Sequence, residues 1–391
     1  MRAEAESRTL LPAIALAIGP VVAIGFARFS YALLLPAMRR SLDLNYALAG
    51  LVNTANAAGY LVGAIVATAI ASAIGARRAF LLGMLVTAAS LLGSGATTNF
   101  GLLLVCRTVS GLAGAVVFVV GAALAAQLAN RRPARASTIL SIYTSGGGLG
   151  IVLSGLVLQP QMNWRLAWAV LGGVAILAAA LVWPVLRGIQ EPHRSPVLSS
   201  WRPPRALTPV FIAYGLFGLG YIAYMTFIVA FVEGRGVDGG EIRLFWIVLG
   251  LACVVAMPAW GALLDRMRGG AGIACCLGVV AVGAALPLLH AGAPFAFASA
   301  VLFGGSMMVV VSAVTSLARR MLPPSAWTSA IGQLTFVFAL GQAIGPSLSG
   351  LVSDRSGGVA TGLAASVVVL IAGTVVSLWQ REHVGGVVEN G

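Results

Sequence analysis

The chain has 391 residues, of which 59% are hydrophobic and 9% are charged, whereas about 25% of the residues in an ordinary soluble domain are charged. This composition excludes a water-soluble globular fold. The formal net charge is +13, but the basic residues are all arginines, and most of them lie in short gaps between apolar runs. Orientation in a membrane therefore explains the charge better than a nucleic-acid partner does.

Twelve apolar runs follow one another along the chain, and each has about the 20 residues that a membrane-spanning helix requires. Their approximate bounds are 10–38, 46–73, 79–98, 100–128, 137–158, 164–186, 208–232, 244–264, 271–290, 295–318, 327–352 and 359–379. The widest gap contains four prolines and separates six runs from six. The sequence therefore predicts an all-α membrane protein with an N-terminal half at 1–186, a cytoplasmic linker at 187–207 and a C-terminal half at 208–391.

The arginines between the runs indicate how the chain is oriented. Sixteen of them fall on the side that holds both termini and the linker, and six fall on the opposite side. Because short arginine-rich segments stay in the cytoplasm, we expect a multi-pass protein of the cytoplasmic (inner) membrane with both termini in the cytoplasm. Arg28 and Arg107 belong to neither group, because both lie inside apolar runs.

The sequence also repeats itself at an offset of 195 residues, which is half its length. At this offset Gly146, Gly150 and Gly155 align with Gly341, Gly345 and Gly350. Two parallel repeats of six spans are typical of secondary transporters, in which the substrate site lies between the repeats. We expect these glycines, with Pro346, to allow close packing and bending of helices 5 and 11.

Three motifs resemble those of the major facilitator superfamily, and the resemblance covers essentially the whole chain. The segment Gly261-Ala-Leu-Leu-Asp265-Arg266-Met-Arg268-Gly269 resembles the loop motif of that family, and Arg107-Thr-Val-Ser-Gly111 resembles its motif in span 4. Span 1, from Gly25 to Met38, resembles the bacterial YbfB/YjiJ-type branch. The resemblance implies two pseudo-symmetric six-helix halves and a conformational latch formed by Gly261, Asp265 and Arg266. In the first half the corresponding acid is replaced by Ser72.

Arg28 and Arg107 lie inside spans, and both are roughly 10–14 Å from the predicted outer membrane surface at 1.5 Å per residue. A charge at this depth normally faces a polar cavity or a partner. Since the family resemblance places spans 1 and 4 at a central cavity, the two guanidiniums are predicted to bind a carboxylate or phosphate through forked hydrogen bonds. The alternative is that they bond helix-end carbonyls or extend to the membrane surface.

Other polar residues of the spans are predicted to complete this substrate site. They are Tyr31, Asn53, Asn56, Tyr221, Tyr224 and Gln333. Asn53 and Asn56 share one face of span 2 because they are three residues apart. The alternative for each is a hydrogen bond between helices, since an amide or phenol in lipid must find a partner.

These observations predict a secondary active transporter that moves a small organic solute by alternating access, with an anionic solute as one option. Two alternatives remain open: a proton-coupled exporter of drugs or sugars, and a non-transporting receptor or assembly factor on the same fold. We expect the partners to be a small-molecule substrate and the lipid bilayer, with no nucleic acid. We also expect a monomer without enzymatic activity, cofactor or metal.

Overall fold

The computed structural model describes residues 2–159, 162–191, 203–290, 292–323 and 326–382. Within these residues the regular secondary structure is entirely helical. The α-helices are α1 (Arg2–Pro20), α2 (Tyr31–Ser41), α3 (Tyr46–Ile74), α4 (Ala76–Ala96), α5 (Phe100–Asn130), α6 (Ala136–Val157), α7 (Trp164–Leu186), α8 (Thr208–Gly234), α9 (Gly239–Leu264), α10 (Ala271–Leu289), α11 (Ala293–Met321), α12 (Trp327–Arg355) and α13 (Val359–Leu378).

Twelve helical segments of the described chain are long and apolar enough to cross a membrane, the first of them running from Leu10 to Ser41. The predicted all-α fold with twelve spans is therefore confirmed. The predicted bounds differ from the observed helix ends by five residues or fewer, except that α1 begins at Arg2, eight residues before the predicted start. The predicted linker at 187–207 includes residues 192–202, which lie outside the described residues.

The spans are helical because a lipid environment offers no water to the backbone, so each N–H and C=O must find its partner within the helix. Small hydroxyl side chains follow the same rule. Ser90, Ser94 and Thr108 each donate a hydrogen bond to the carbonyl four residues earlier, at 2.8–2.9 Å. This pattern makes any buried hydroxyl that does not bond its own helix an exception.

Span 1 departs from uniform α-helix at its centre. Between α1 and α2, residues Val21–Phe29 are wound as a π-helix, and all nine of them are buried. The N–H of Ser30 donates to the carbonyl oxygen of Gly25 at 3.0 Å, which is the i to i−5 bond of this wider helix. Arg28 lies in this segment, and π-helical turns are frequent at functional sites.

The chain forms two compact units. Unit 1 comprises Met1–Leu44, Leu51–Arg194 and Gly239–Gly250, and unit 2 comprises Asn45–Gly50, Ser195–Asp238 and Leu251–Gly391. Helices α3 and α9 each begin in one unit and continue in the other, because 45–50 belong to unit 2 and 239–250 to unit 1.

Helix backbones meet at glycines in unit 1. A side chain at Gly25 would collide with the backbone of Gly150, so the π-helix and α6 touch main chain to main chain. A side chain at Gly59 would meet the carbonyl of Thr108, and one at Gly111 would meet the carbonyl of Asn56. Small residues allow this close approach of helices in membranes, and it fixes the register of α3 against α5.

In unit 2, glycines also allow close backbone contact between α8 and α12. A side chain at Gly341 would meet the carbonyl of Gly215, and one at Gly345 would meet the carbonyl of Leu219. Aromatic rings from α8 stack beside these contacts on Phe338 of α12, whose ring centroid lies 4.6 Å from that of Tyr214. Helix α12 continues through Pro346 to Arg355.

Charged side chains cap helix ends within each unit. Arg165 donates from Nε to the carbonyl of Gly95 at 2.9 Å, and Arg243 donates from Nε to the carbonyl of Gly155 at 2.9 Å. In unit 2 the carboxylate of Asp354 accepts the N–H groups of Tyr46 and Ala47 at 2.9 and 2.8 Å. Each contact joins a charge to a helix end of opposite partial charge.

Replacing Gly150 by Ala is expected to destabilise the protein by about 1–3 kcal/mol, because the added methyl group would overlap the π-helix backbone. Gly147→Ala is the matched control in the same helix, since a Cβ there would meet Ile24 at an ordinary 3.5 Å. Ala is favoured over Gly in a helix by up to about 1 kcal/mol, so the control should be neutral or stabilised. Thermal unfolding in detergent measures both variants, and equal behaviour would contradict the backbone contact.

Candidate binding site

Arg107 is fully buried in α5, at 0% exposure. Its guanidinium carbon lies 4.9 Å from the ring centroid of Trp168 on α7 and 5.4 Å from that of Tyr31 on α2. Such cation–π contacts stabilise a desolvated guanidinium by about 2 kcal/mol. The three guanidinium nitrogens have no hydrogen-bond partner among the described residues.

Arg28 lies in the π-helix of the same unit and is 4% exposed. Its guanidinium carbon is 4.8 Å from the ring centroid of Tyr60 on α3. Unit 1 thus contains two buried arginines.

Asn56 joins α3 to α5 at this point. It is 1% exposed, and its side-chain Nδ2 donates to the carbonyl oxygen of Arg107 at 3.2 Å. This contact is possible because Gly111 has no side chain to hold the two helices apart. Asn53 is also buried, one turn earlier on α3.

Several buried polar atoms of this cluster have no hydrogen-bond partner among the described residues. They are the three guanidinium nitrogens of Arg107, Oδ1 of Asn56 and Oγ of Ser110. Ser110 is fully buried and lies three residues after Arg107, on the same face of α5. Buried polar atoms are almost always bonded in native proteins, so this cluster is suited to a polar ligand.

The acidic residues of the sequence lie outside the apolar runs or near the ends of the observed helices. None of the eleven acidic residues lies within the twelve apolar runs. An unbalanced charge in a membrane is costly and marks functional positions. Arg107 therefore presents buried donors that no described residue bonds.

The remaining predicted site residues lie in unit 2. Tyr224 is fully buried, its hydroxyl is 2.5 Å from Oγ of Ser299, and its ring stacks on Phe303 at 4.0 Å. Tyr221 accepts a hydrogen bond from Nε2 of Gln342 at 2.5 Å, and Gln333 is half-buried on α12. The structure thus brings Arg28, Tyr31, Asn53, Asn56 and Arg107 together in unit 1, and it places Tyr221, Tyr224 and Gln333 in unit 2.

Two members of the cluster, Trp168 and Ser110, are absent from the predicted site. Trp168 donates from Nε1 to the sulfur of Met38 at 3.4 Å. This bond orients the indole ring, on which the guanidinium of Arg107 lies. A recurring pattern could have indicated it, because Arg165-Leu-Ala-Trp168 matches Arg243-Leu-Phe-Trp246. In both copies the arginine caps a helix end and the tryptophan is buried one turn further on.

The predicted latch residues lie at the end of α9 and in the turn after it. Asp265 and Arg266 are exposed, and a side chain at Gly261 would meet nothing within 4 Å. The carboxylate that contacts this loop is instead Glu382, which accepts the N–H of Gly269 at 2.7 Å.

Glu382 also forms an ion pair with Arg320 at 2.9 Å. Partial burial would raise the pKa of Glu382, but the hydrogen bonds from Gly269 and Arg320 outweigh it and lower the pKa below the ordinary value. Its contribution to stability is therefore fully present above the ordinary glutamate pKa of about 4.3 and is lost as the pH falls through the lower pKa of the folded state. Glu191 in unit 1 is held similarly by Ala76 and Arg77.

Comparison with known proteins places this geometry in context. A family model described as "Uncharacterised MFS-type transporter YbfB" matches residues 20–378. The chain is 29% identical over 271 residues to a chloramphenicol resistance protein of Streptomyces lividans, covering 66% of this chain and 67% of that protein. It is 28% identical over 156 residues to a probable sugar efflux transporter of Helicobacter pylori (strain G27), covering 39% of each.

Among solved structures, the chain is similar to a bacterial homologue of the human lysosomal transporter Spinster in an inward-facing, unoccupied conformation. The TM-score is 0.72 at 16% identity, and the match covers 94% of this chain and 96% of the other. At this level of identity the likeness concerns the fold.

Proposed function

The chain belongs to the major facilitator superfamily, in the family of YbfB-type transporters, and we propose that it carries a small organic anion across the cytoplasmic membrane by alternating access. Arg107 and Arg28 bind the anionic group, and Tyr31, Trp168 and Asn56 hold the arginines in place. The chain acts as a monomer with both termini in the cytoplasm.

One observation supports the anionic class above all others. The guanidinium of Arg107 is fully buried, and its three nitrogens have no hydrogen-bond partner among the described residues. A carboxylate or phosphate would accept two parallel hydrogen bonds from such a group and neutralise its charge. A neutral solute could accept hydrogen bonds but would leave the desolvated charge uncompensated.

The second arginine strengthens the same conclusion. Arg28 is buried in the same unit as Arg107, and two like charges in a low-dielectric interior raise each other's free energy. An anion bound between them would convert this repulsion into attraction. Part of the binding free energy would then come from relief of the repulsion between the two arginines.

A second candidate is a proton-coupled exporter of a drug or sugar. The printed names of the two curated relatives favour it, since one concerns chloramphenicol resistance and the other sugar efflux. Proton coupling in membranes usually relies on a buried Asp or Glu, and no acidic residue lies within the apolar runs. Transport assays in sealed vesicles with chloramphenicol, neutral sugars and organic anions distinguish the two candidates, and the absence of any transport would favour a receptor.

The arginine site is tested with Arg107→Lys and Arg28→Lys. Lysine keeps the charge but loses the forked geometry, so affinity for the best of a panel of lactate, malate, benzoate and phosphate should fall about 10-fold or more. This corresponds to one charged hydrogen bond of about 1.5–3 kcal/mol. Calorimetric titration of the purified variants measures the change.

Arg187→Lys is the matched control for these variants, because Arg187 also stacks on a tryptophan, with its guanidinium carbon 4.7 Å from the ring of Trp183, but lies beyond the end of α7. It should bind like the wild type. If Arg28→Lys and Arg107→Lys both bind unchanged, the arginines are structural and the anion proposal is wrong.

Asp265 is proposed to act in the conformational cycle, as the family's loop motif implies. Asp265→Asn should slow turnover several-fold and leave ligand affinity within a few-fold, because the residue is exposed and distant in sequence from the arginines. Glu382→Gln is the contrasting variant, expected to lower stability by about 1 kcal/mol through loss of its charged contacts. Loss of affinity with normal turnover in Asp265→Asn would contradict the latch role.

The orientation is tested by reporter fusions at Gly391 and near Pro196, two positions outside the described residues. Both should report the cytoplasm, since the arginines of that side outnumber those of the other by sixteen to six. An external signal at either position would reverse or break the proposed topology.

A further inference from the structure

We propose that the ligand of the Arg107 site carries a hydrogen-bond donor beside its anionic group, as a 2-hydroxy or 2-amino acid does, and that Asn56 recognises this donor. The inference rests on the proposed anion site and specifies the ligand further. The observation that carries it is that contacting segments of α3 and α5 hold unbonded donors on Arg107 and unbonded acceptors on Asn56 and Ser110.

The orientation of the Asn56 amide is set by its neighbour. A backbone carbonyl only accepts hydrogen bonds, so the group that faces the Arg107 carbonyl at 3.2 Å must be the NH₂ of Asn56. Turning the amide over would place two oxygens against each other. The oxygen Oδ1 is therefore held as an acceptor, and it is buried without a partner among the described residues.

Ser110 adds a second position of the same kind. Hydroxyl groups on neighbouring helices bond their own backbone, as Ser94 does with the carbonyl of Ser90 at 2.8 Å. The hydroxyl of Ser110 makes no such bond in the described structure, although it is fully buried. It lies between Arg107 and Gly111, on the stretch of α5 that packs against Asn56.

The hydrogen-bonding pattern of this cluster defines the complementary molecule. Arg107 offers donors and requires an acceptor that carries negative charge, which a carboxylate provides. Oδ1 of Asn56 requires a donor, and Ser110 can give or accept one hydrogen bond. A simple carboxylate satisfies the arginine alone. A carboxylate with an adjacent hydroxyl or amino group satisfies all three residues at once.

The arrangement also explains how the site would distinguish ligands of equal charge. A site built to bond a hydroxyl strongly rejects the analogue that lacks it, because the buried acceptor then stays unbonded. Hydrophobic contacts alone discriminate much less. Selectivity thus depends on Asn56, whereas the attraction for an anion depends on the arginines.

The experiment compares lactate with propionate and malate with succinate, two pairs that differ by one hydroxyl at equal charge. Calorimetric titration of the full-length protein in detergent should give about 10- to 1,000-fold tighter binding of the hydroxy acid in at least one pair. Asn56→Leu should reduce this ratio to within about 3-fold, because it removes the acceptor for the hydroxyl group. Ser110→Ala should reduce the ratio by less.

Ser94→Ala is the matched control, since that hydroxyl is buried but bonds its own helix, and it should keep the full ratio. Two results overturn the inference while the anion site stands: wild type that binds both members of each pair equally, or Asn56→Leu that keeps the ratio. If no member of either pair binds the wild type, the anion site fails and this inference fails with it. The wild-type comparison needs no variant, so poor folding of Asn56→Leu does not prevent a decision.

Discussion

Direct contact between helix backbones at glycine is the constraint on which the rest of this structure depends. Where Gly111 meets the carbonyl of Asn56, α3 and α5 lie too close for any side chain to separate them. The Asn56 amide then reaches the carbonyl of Arg107, and the oxygen of that amide is turned to a definite position. In lipid, where apolar side chains gain little by leaving their surroundings, such close contacts are a main source of association between helices.

The position of Arg107 follows from this packing and carries a cost. A fully buried guanidinium loses its hydration, and the rings of Trp168 and Tyr31 restore part of the lost interaction energy. They do not satisfy the N–H groups, which have no hydrogen-bond partner among the described residues. Under the proposed function, an ion pair to Arg107 inside the protein would compete with the anionic ligand.

The arginines of the chain have three physical roles that composition alone does not separate. Those in the gaps between spans set the predicted orientation, whereas Arg165 and Arg243 bond the carbonyls at the ends of α4 and α6. Arg28 and Arg107 lie within spans, where the two halves of the repeat differ, since Ala223 aligns with Arg28. An asymmetric charge on a duplicated fold does not follow from the fold itself, and this supports a role in recognition.

The sequence by itself determined the number of spans and most of their bounds to within about five residues, because long apolar runs in lipid have one stable local structure. Its motifs also indicated the family. It also indicated Arg28 and Arg107, because a charge in an apolar run is visible without a structure. It did not indicate Trp168 or Ser110, whose residue types are common in membrane helices and whose importance comes from contact with Arg107 and Asn56. The sequence also provided no reason to prefer Asn56 over Asn53 as a site residue. The orientation of the Asn56 amide depends on the carbonyl of Arg107, 51 residues away. Those distinctions required the tertiary structure, because hydrogen bonds between distant segments depend on which backbones approach each other.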